Sequence, residues 1–291
     1  MSPRRGRGVD FEQRFRTSRW AEDLLIAAFN KHELLAIRLG LSETSADNLI
    51  RDADTRYKVP DLLIFDPARL SPKEKESLEQ TDFTRRTPDA LAPGTAGGQT
   101  LRKALCAIEV EFSPYKAAEM KGRDWKRKSP DELARRPRKQ AKPPVAPNIW
   151  IKDEDLAPLH RWQEMMGIPI VVCHLFDQEA FAVTLADVVG LSRKLSRRPA
   201  AAIAIQLSTG IFRKTQTYDR VDAQGAREHK DVFVVTPAAA VRAGIVRDVR
   251  VESQLGLSAS KKYVAHVLFT GGRIEFDEEF VKLVRELRGS S

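Results

Sequence analysis

The sequence predicts an α/β protein with a central mixed β-sheet flanked by helices and a strand-rich C-terminal part. Two apolar runs, at positions 58–65 and 104–112, have the length and composition of buried strands. Apolar residues recur at helical spacing before the first run, whereas strand-like runs predominate after position 200. A chain of 291 residues with 42% hydrophobic residues can bury the core of one large domain, or of a core with a smaller lobe.

The first predicted helix begins near Ser18, whose hydroxyl can cap it, and carries Trp20 and Leu24 at helical spacing. We interpret residues 1–17 as a basic N-terminal arm. Residues 18–190 are predicted to form the core, and residues 191–291 a strand-rich C-terminal region.

The segment 66–100 is interpreted as an insertion between two core strands. Within it, Pro93-Gly94-Thr95-Ala96-Gly97-Gly98 predicts a flexible loop. Pro88-Asp89 repeats the dipeptide Pro60-Asp61, but the residues after Asp89 are too few and too rich in proline for a core strand. Asp61 is therefore preferred to Asp89 as a functional carboxylate.

A helix is predicted at positions 153–166, with Asp153 as its cap and Gly167 as its stop. Strands are expected at positions 168–176 and 180–185. The order strand, helix, strand predicts a right-handed crossover that packs the helix on the sheet.

Three strands are predicted beyond position 200, at positions 202–207, 232–236 and 263–269. The pair Gly271-Gly272 predicts a turn into a further strand at positions 273–276. A final helix is expected from about Asp277 to Leu287.

Carboxylates interrupt both apolar runs of the core, where burial makes them costly. Pro60-Asp61 opens the first run, and Glu109-Val110-Glu111 ends the second. On a strand, Glu109 and Glu111 leave the same face, while Val110 points to the other. An unpaired buried carboxylate costs several kcal/mol unless a cation meets it, and a divalent metal ion is the obvious cation.

These residues resemble the active-site motif of the PD-(D/E)XK nuclease superfamily, which includes most type II restriction endonucleases. The resemblance covers roughly residues 18–185, with the helix of Arg19-Trp20-Ala21-Glu22 upstream and a basic segment downstream. Most members of the superfamily have a lysine where this chain has Glu111, and a minority of the restriction enzymes carry this ExE form. The resemblance implies a restriction-endonuclease-like core.

The resemblance further implies a magnesium-dependent type II restriction endonuclease that cuts double-stranded DNA at a specific sequence. Asp61 and Glu109 are then ligands of Mg²⁺, the backbone carbonyl of Val110 is a further ligand, and Glu111 orients the attacking water or acts as a general base. Two alternatives stay open. One is a structure-specific repair, recombination or transposon-end nuclease, and the other is a DNA-binding module in which Glu111 marks lost catalysis.

Two assignments are left open by the sequence. Glu22 either stabilises the helix N-terminus through the dipole or, as in many superfamily members, adds a carboxylate to the metal site. Lys116, or Lys121, either projects a cation back to the site or is a solvated lysine on a helix surface.

The net charge of +9 is concentrated in the basic segment, residues 121–147, whose positions 121–142 hold ten Lys/Arg and three acidic residues. The segment is either a solvated linker or an arm that contacts DNA phosphates beside the active site. The predicted DNA contacts are Lys121, Arg123, Lys126, Arg127, Lys128, Arg135 and Arg136. Residues 191–291 are expected to recognise DNA or to dimerise, because a palindromic target suits a homodimer.

Several classes of protein are excluded by what the sequence lacks. No apolar run approaches a membrane span and the start is basic, so we expect a cytoplasmic protein without membrane contact. A Gly-x-x-x-x-Gly-Lys-Ser/Thr loop is missing, which argues against a nucleotide cofactor. The five histidines are scattered and form no Cys/His pair at zinc spacing. Cys106 and Cys173 are predicted to be core residues in a reduced compartment.

Overall fold

The computed structural model describes residues 9–39, 58–83, 92–113, 148–195, 211–221, 227–257 and 263–288. Within these ranges the chain forms a seven-stranded sheet, a three-stranded sheet and six α-helices. The α/β class is confirmed, with a large mixed sheet flanked by helices.

The helices are α1 (Val9–Lys31), α2 (Pro72–Gln80), α3 (Ala96–Leu101), α4 (Asp153–Met166), α5 (Leu185–Leu195) and α6 (Glu278–Glu286). The strands are β1 (Leu35–Arg38), β2 (Leu62–Phe65), β3 (Cys106–Phe112), β4 (Ile149–Lys152), β5 (Ile170–Leu175), β6 (Glu179–Thr184), β7 (Ile211–Val221), β8 (Arg227–Val235), β9 (Val241–Leu257) and β10 (Tyr263–Phe276).

The larger sheet has the strand order β1-β2-β3-β5-β6-β9-β10, and the smaller sheet has the order β4-β8-β7. β3 and β5 pair in parallel, while the other neighbours in both sheets are antiparallel. A parallel pair needs a crossover connection, and α4 lies within it. The predicted crossover between these strands is therefore confirmed.

Each face of the larger sheet packs against its own hydrophobic layer. Ala107 of β3 faces the layer that contains α4 and the smaller sheet, whereas Ile108 faces the layer that contains α1 and α6. Because side chains alternate along a strand, this phase places Glu109 on the α4 side. In β2, Leu63 belongs to the same layer as Ala107, so Asp61 also leaves the sheet toward α4.

Helix α4 ends where the sequence predicted and begins with a different cap. Gly167 closes it in the left-handed conformation, with φ of 65°, and its N–H bonds back to the carbonyl of Gln163. At the other end, the cap is Lys152, which makes no side-chain capping bond, and Asp153 is the first helical residue. The first turn carries three acidic residues, a placement that the helix dipole favours.

Helix α1 begins at Val9, not near Ser18 as predicted, so residues 9–17 of the expected basic arm are helical. No proline or glycine occurs between Val9 and Ser18, and nothing in that stretch ends a helix. The N-terminus of a helix is not fixed by one good capping residue when the residues before it also favour a helix.

The segment 66–100 contains more regular structure than a flexible loop. Ser71 and Glu74 form a reciprocal capping box at the start of α2, which buries Leu78. The predicted loop at 93–98 instead contains the start of α3, because the Thr95 hydroxyl accepts a 3.0 Å hydrogen bond from the N–H of Gly98. A side-chain cap thus outweighs two glycines of low helix propensity.

Of the C-terminal strands, β9 and β10 join the larger sheet, whereas β7 and β8 belong to the smaller one. β10 runs straight through Gly271 and Gly272, and pairs with β9 on both sides of them, so the predicted turn there is wrong. Both glycines have positive φ, 64° and 93°, which is an irregularity within the ladder and not a hairpin end. β9 was not predicted. Helix α6 after Asp277 is confirmed, and the strand expected at 202–207 lies outside the described residues.

Candidate functional site

The predicted carboxylates meet at the point where β2 begins and β3 continues past it. The last antiparallel pair between the two strands is Leu62 with Ile108. Pro60 has no N–H and therefore cannot donate a further ladder bond to β3 at this point. The side chain of Asp61 contacts the backbone of β3 here. Its Oδ2 accepts a 2.7 Å hydrogen bond from the N–H of Val110.

A third carboxylate, from a distant helix, closes the site from above the sheet. Oxygens of Glu109, Glu111 and Asp155 lie within 4.8 Å of one another. Asp155 belongs to the first turn of α4, which packs on the sheet face to which Glu109 points. The helix therefore brings an acidic side chain onto the two in-phase glutamates of β3.

Lys58 is the cation of this cluster. Its Nζ forms a short ion pair with Oε1 of Glu109 and lies 3.1 Å from Oδ2 of Asp155. A second lysine, Lys152, lies 3.7 Å from the same oxygen of Asp155. Glu109 is almost fully buried, with 5% of its side chain exposed, so its contact with Lys58 is shielded from bulk water.

Burial raises the pKa of both Asp61 and Glu109 above their ordinary values. For Asp61 the charge of Glu109 raises the pKa further, against the opposing effect of Lys58. For Glu109 the main opposing effect is the ion pair with Lys58. The two carboxyl groups are thus too crowded to hold two negative charges easily, and a further cation at the site relieves this.

The pKa values of Glu111 and Lys58 are also raised, which favours the neutral form of Glu111 and the charged form of Lys58. Burial raises the pKa of Glu111 to about 7, and the charge of Glu109 adds to this. Burial alone lowers the pKa of Lys58, but four carboxylates outweigh it and raise the pKa well above its ordinary value. In descending order of effect these are Glu109, Asp155, Asp61 and Glu111. Lys58 therefore stays charged, whereas Glu111 titrates near neutral pH.

The backbone of Val110 also points toward the site. In an extended strand, the N–H and C=O of one residue point to the same side. Since the N–H of Val110 meets Asp61, its carbonyl is directed to the segment before β2, where Lys58 and Pro60 lie. This direction agrees with the role of a further oxygen ligand that the sequence assigned to Val110.

Glu22 forms an ion pair with Arg38, which ties α1 to β1. Oε2 of Glu22 accepts a 2.8 Å hydrogen bond from Nε of Arg38, and Arg38 also contacts Asp23. The charge of Glu22 contributes to raising the pKa of Asp61, so it acts on the site electrostatically. The dipole interpretation of Glu22 is wrong, because α1 begins at Val9 and Glu22 lies more than three turns into the helix. The metal-ligand interpretation stays a prediction, and neither interpretation anticipated this ion pair.

His174 lies on the strand next to the two glutamates and pairs in register with Glu111. Its Nδ1 accepts a 3.3 Å hydrogen bond from the N–H of Trp150, which joins the two sheets close to the site. Burial lowers the pKa of His174 to about 3, so the ring is neutral. Its Nε2 has no hydrogen-bond partner within the described residues.

Two residues of the site were missed by the sequence analysis. Lys58 precedes Asp61 by three positions and was treated only as the first residue of a strand, while Asp155 was hidden among three acidic residues that suit a helix start. A lysine next to the Pro-Asp pair was the available signal. Sequence could not show the approach of α4, because Lys58 and Asp155 are 97 positions apart.

Several predicted site residues lie outside the described residues. These are the alternative carboxylate Asp89, the alternative cation Lys116 and the predicted DNA contacts Lys121, Arg123, Lys126, Arg127, Lys128, Arg135 and Arg136. Their roles stay predictions. Asp61, Glu109 and Glu111 are the predicted residues that the structure brings together.

The donor set fits a hard divalent cation. It consists of carboxylate and carbonyl oxygens, the ligand type that Mg²⁺ and Ca²⁺ prefer. One oxygen of Glu109, Oε2, is buried and accepts no hydrogen bond within the described part of the chain. A buried carboxylate oxygen without a partner is costly, and coordination to a cation would satisfy it.

No family model, curated protein or solved structure matches the chain. None of the helices in the described ranges is long and apolar enough to cross a membrane.

Proposed function

We propose that this protein is a magnesium-dependent endonuclease that hydrolyses phosphodiester bonds of double-stranded DNA, and specifically a type II restriction endonuclease. The observation that carries the proposal is the cluster of Glu109 and Glu111 at the end of β3, with Asp61 held beside them by its hydrogen bond from the N–H of Val110. The spacing and strand placement of these residues are those of the motif that the sequence resembles.

The charge balance of the site supports a bound cation. Four carboxylates, those of Asp61, Glu109, Glu111 and Asp155, surround Lys58. Lys152 adds a second positive charge, but it contacts Asp155 from a more exposed position. Burial, above all, raises the pKa of three of these carboxyl groups and so favours their neutral forms, whereas a bound cation would favour the charged forms that coordinate it.

The side chains have separable roles in the proposed reaction. Asp61, Glu109 and the Val110 carbonyl would hold Mg²⁺, which when bound supplies Lewis acidity toward the phosphate. Glu111, whose pKa is about 7, is protonated and deprotonated in comparable amounts near neutral pH, so it can accept a proton from the attacking water. Lys58 holds the Glu109 carboxylate in place through their ion pair.

The partner is proposed to be double-stranded DNA, bound by a homodimer. A net charge of +9, concentrated in the basic segment, supports an acidic polymer as partner. Such an arm beside the acidic site would neutralise phosphates that flank the scissile bond. A twofold-symmetric dimer would suit a palindromic target.

Plasmid cleavage with and without Mg²⁺ tests the proposal. We expect discrete fragments from the unaltered protein with Mg²⁺, and a loss of at least about a hundredfold in rate for Asp61→Asn and Glu109→Gln. Both changes keep the size of the side chain and remove its charge, so DNA binding should be largely retained. Asp66→Asn is a matched control, because Asp66 lies at the other end of β2 and caps a short turn, which asparagine caps equally well.

The pattern of products distinguishes the alternatives. Smears or cuts confined to branched DNA would favour a repair or recombination nuclease on the same core. Binding without any Mg²⁺-dependent cutting would favour an inactive DNA-binding module. Full activity of Asp61→Asn together with loss in Asp89→Asn would show that the other Pro-Asp pair is the functional one.

A further inference from the structure

Asp155 lies where a cation bound to the glutamates of β3 would find an additional ligand. Its side chain is 18% exposed, and its oxygen lies within 4.8 Å of oxygens of Glu109 and Glu111. In Ca²⁺ sites each oxygen lies about 2.3–2.6 Å from the ion, so oxygens on opposite sides are about 5 Å apart. The three carboxylates are therefore close enough to share one cation, and a small contraction would suit Mg²⁺.

Glu109 gives an independent indication of a ligand at this place. Its side chain is 95% buried, since 5% is exposed, and its Oε2 has no hydrogen-bond partner among the described residues. Its other oxygen is paired with Lys58. Buried carboxylate oxygens are nearly always hydrogen-bonded or coordinated, so the unpaired oxygen points to a bound cation.

Lys58 contacts the same carboxylates that such a cation would use. Its Nζ bridges Glu109 and Asp155, with 3.1 Å to the latter. A divalent ion coordinated by both residues would lie within a few ångströms of this ammonium group, where like charges in a partly buried site repel each other strongly. The two cations cannot occupy this position together.

We propose that Asp155 binds the same divalent cation as Glu109, and that this cation displaces the Lys58 ammonium group from Glu109 and Asp155. The inference rests on the proposed metal-dependent function and extends its site to a residue of α4. Lys58 is then an internal counter-ion: it stabilises the carboxylates before the metal binds and competes with the metal for them.

Calcium binding by the full chain without DNA tests the inference, measured by isothermal titration calorimetry with CaCl₂. Removing a ligand in Asp155→Asn should weaken Ca²⁺ binding at least about tenfold. Removing the competitor in Lys58→Met should strengthen it about tenfold, because methionine keeps much of the side-chain volume without the charge. Lys58→Arg keeps the charge and should bind Ca²⁺ within about threefold of the unaltered protein.

Lys152→Met is the matched control for the general effect of removing a positive charge. Lys152 contacts Asp155 at 3.7 Å, is 41% exposed and makes no contact with Glu109 among those described. Its removal should change Ca²⁺ affinity by less than about threefold. An equal gain in Lys58→Met and Lys152→Met would show a general charge effect and would overturn the displacement of Lys58.

A second measurement uses the unaltered protein, so it does not depend on whether a variant folds. Acetylation of lysines by a small reagent, followed by mass spectrometry, reports how accessible each amine is. Displacement by Ca²⁺ should increase the acetylation rate of Lys58 severalfold and leave that of Lys103, which pairs with Glu74 far from the site, unchanged. Protection of Lys58 by Ca²⁺, or no change, would contradict displacement.

The outcomes separate this inference from the proposed function. If Ca²⁺ binding is lost in Glu109→Gln but unaffected in Asp155→Asn and Lys58→Met, the metal-dependent function survives and the inference fails. If Asp155→Asn and Lys58→Met behave as expected but no DNA is cut with Mg²⁺, the cation site stands and the nuclease function fails. If the unaltered protein binds no Ca²⁺ at millimolar concentration, the inference fails.

Discussion

Oδ2 of Asp61 accepts a 2.7 Å hydrogen bond from the backbone N–H of Val110, although 49 positions separate the two residues. The bond fixes one carboxylate of the site against the backbone between the other two, Glu109 and Glu111. It lies where the regular ladder ends, because Pro60 has no N–H to donate to β3. The position of Asp61 is therefore set by the sheet itself, which is the kind of rigid support that a catalytic carboxylate needs.

The contribution of Glu111 to the stability of the protein should fall as the pH rises through the range where this residue ionises. The pKa of Glu111 is about 7 in the folded protein, raised by burial from 4.5, so the folded state binds this proton more tightly than the unfolded chain. The free energy of unfolding contributed by this group then decreases between pH 4.5 and pH 7. Urea denaturation without divalent ions should show a smaller decrease for Glu111→Gln over this range.

Glu275→Gln is the control for that measurement. Ion pairs with Arg247 and Arg273 lower the pKa of Glu275, so its contribution has the opposite sign and its loss should not flatten the decrease. Equal pH dependence in Glu111→Gln and in the unaltered protein would show that the pKa of Glu111 is not raised in the folded protein.

His174 should contribute a loss of stability at acidic pH. Burial lowers its pKa from 6.5 to about 3, so the unfolded chain binds a proton that the folded protein excludes. Stability from this group is present above pH 6.5 and is lost as the pH falls toward 3. His174→Asn keeps a hydrogen-bond acceptor for Trp150 and should unfold at a lower pH than the unaltered protein, relative to each protein's stability at pH 7.

Tryptophan fluorescence, followed as the pH is lowered, gives the midpoint of acid unfolding for His174→Asn and for the unaltered protein. A variant with the same acid midpoint, after correction for its stability at pH 7, would exclude His174 as a source of acid unfolding. Between pH 4.5 and 6.5, His174 and Glu111 change the free energy of unfolding with opposite signs. The variant that lacks one of the two groups should therefore show the pH dependence that the other contributes.

Arg38→Met should destabilise the protein by about 1–2 kcal/mol, because it removes the ion pair between the guanidinium group and the largely buried carboxylate of Glu22. Glu22→Gln should cost less, and the double variant should show a coupling energy of about 1 kcal/mol in urea denaturation. A fall in Mg²⁺ affinity in Glu22→Gln but not in Arg38→Met would instead support Glu22 as a metal ligand.

Gly244→Ala should be one of the more destabilising changes in the C-terminal strands. A Cβ at this position of β9 would lie 2.3 Å from the backbone oxygen of Glu275, and rigid backbone cannot move away cheaply. We expect a loss of about 2–3 kcal/mol in the free energy of unfolding. Gly190→Ala, in α5 with nothing within 4 Å, is the counterpart and should stabilise by about 0.5–1 kcal/mol.

Neutralising Lys126, Arg127 and Lys128 together should weaken binding to all DNA sequences alike. The slope of log affinity against log salt should flatten by about 0.9 for each phosphate that the protein no longer neutralises. Discrimination between cognate and scrambled duplexes should survive, because phosphate contacts carry no direct sequence information. An unchanged slope would identify the segment as a solvated linker, and selective loss of cognate binding would place it in the recognition surface. Neutralising the exposed Lys73, Lys75 and Lys282 controls for net charge.

The sequence alone predicted those features that depend on the residue pattern within a single helix or strand. Glu109 and Glu111 share a face because side chains alternate on a strand, and α4 ends at Gly167 because that residue tolerates the left-handed conformation. The start of α1 was misplaced because Ser18 is a good cap, but the residues before it also form helix.

Contacts between distant segments were decided only by the tertiary structure. The strand β9 became recognisable through its pairing with β10, and Gly271-Gly272 resembled a turn because positive φ serves turns and ladder irregularities alike. The sequence by itself determined that buried carboxylates at the ends of two strands need a cation. The packing of α4 on the sheet brings Lys58 and Asp155 together at these carboxylates. Charged residues far apart along the chain meet only when the hydrophobic faces of their elements are buried against each other.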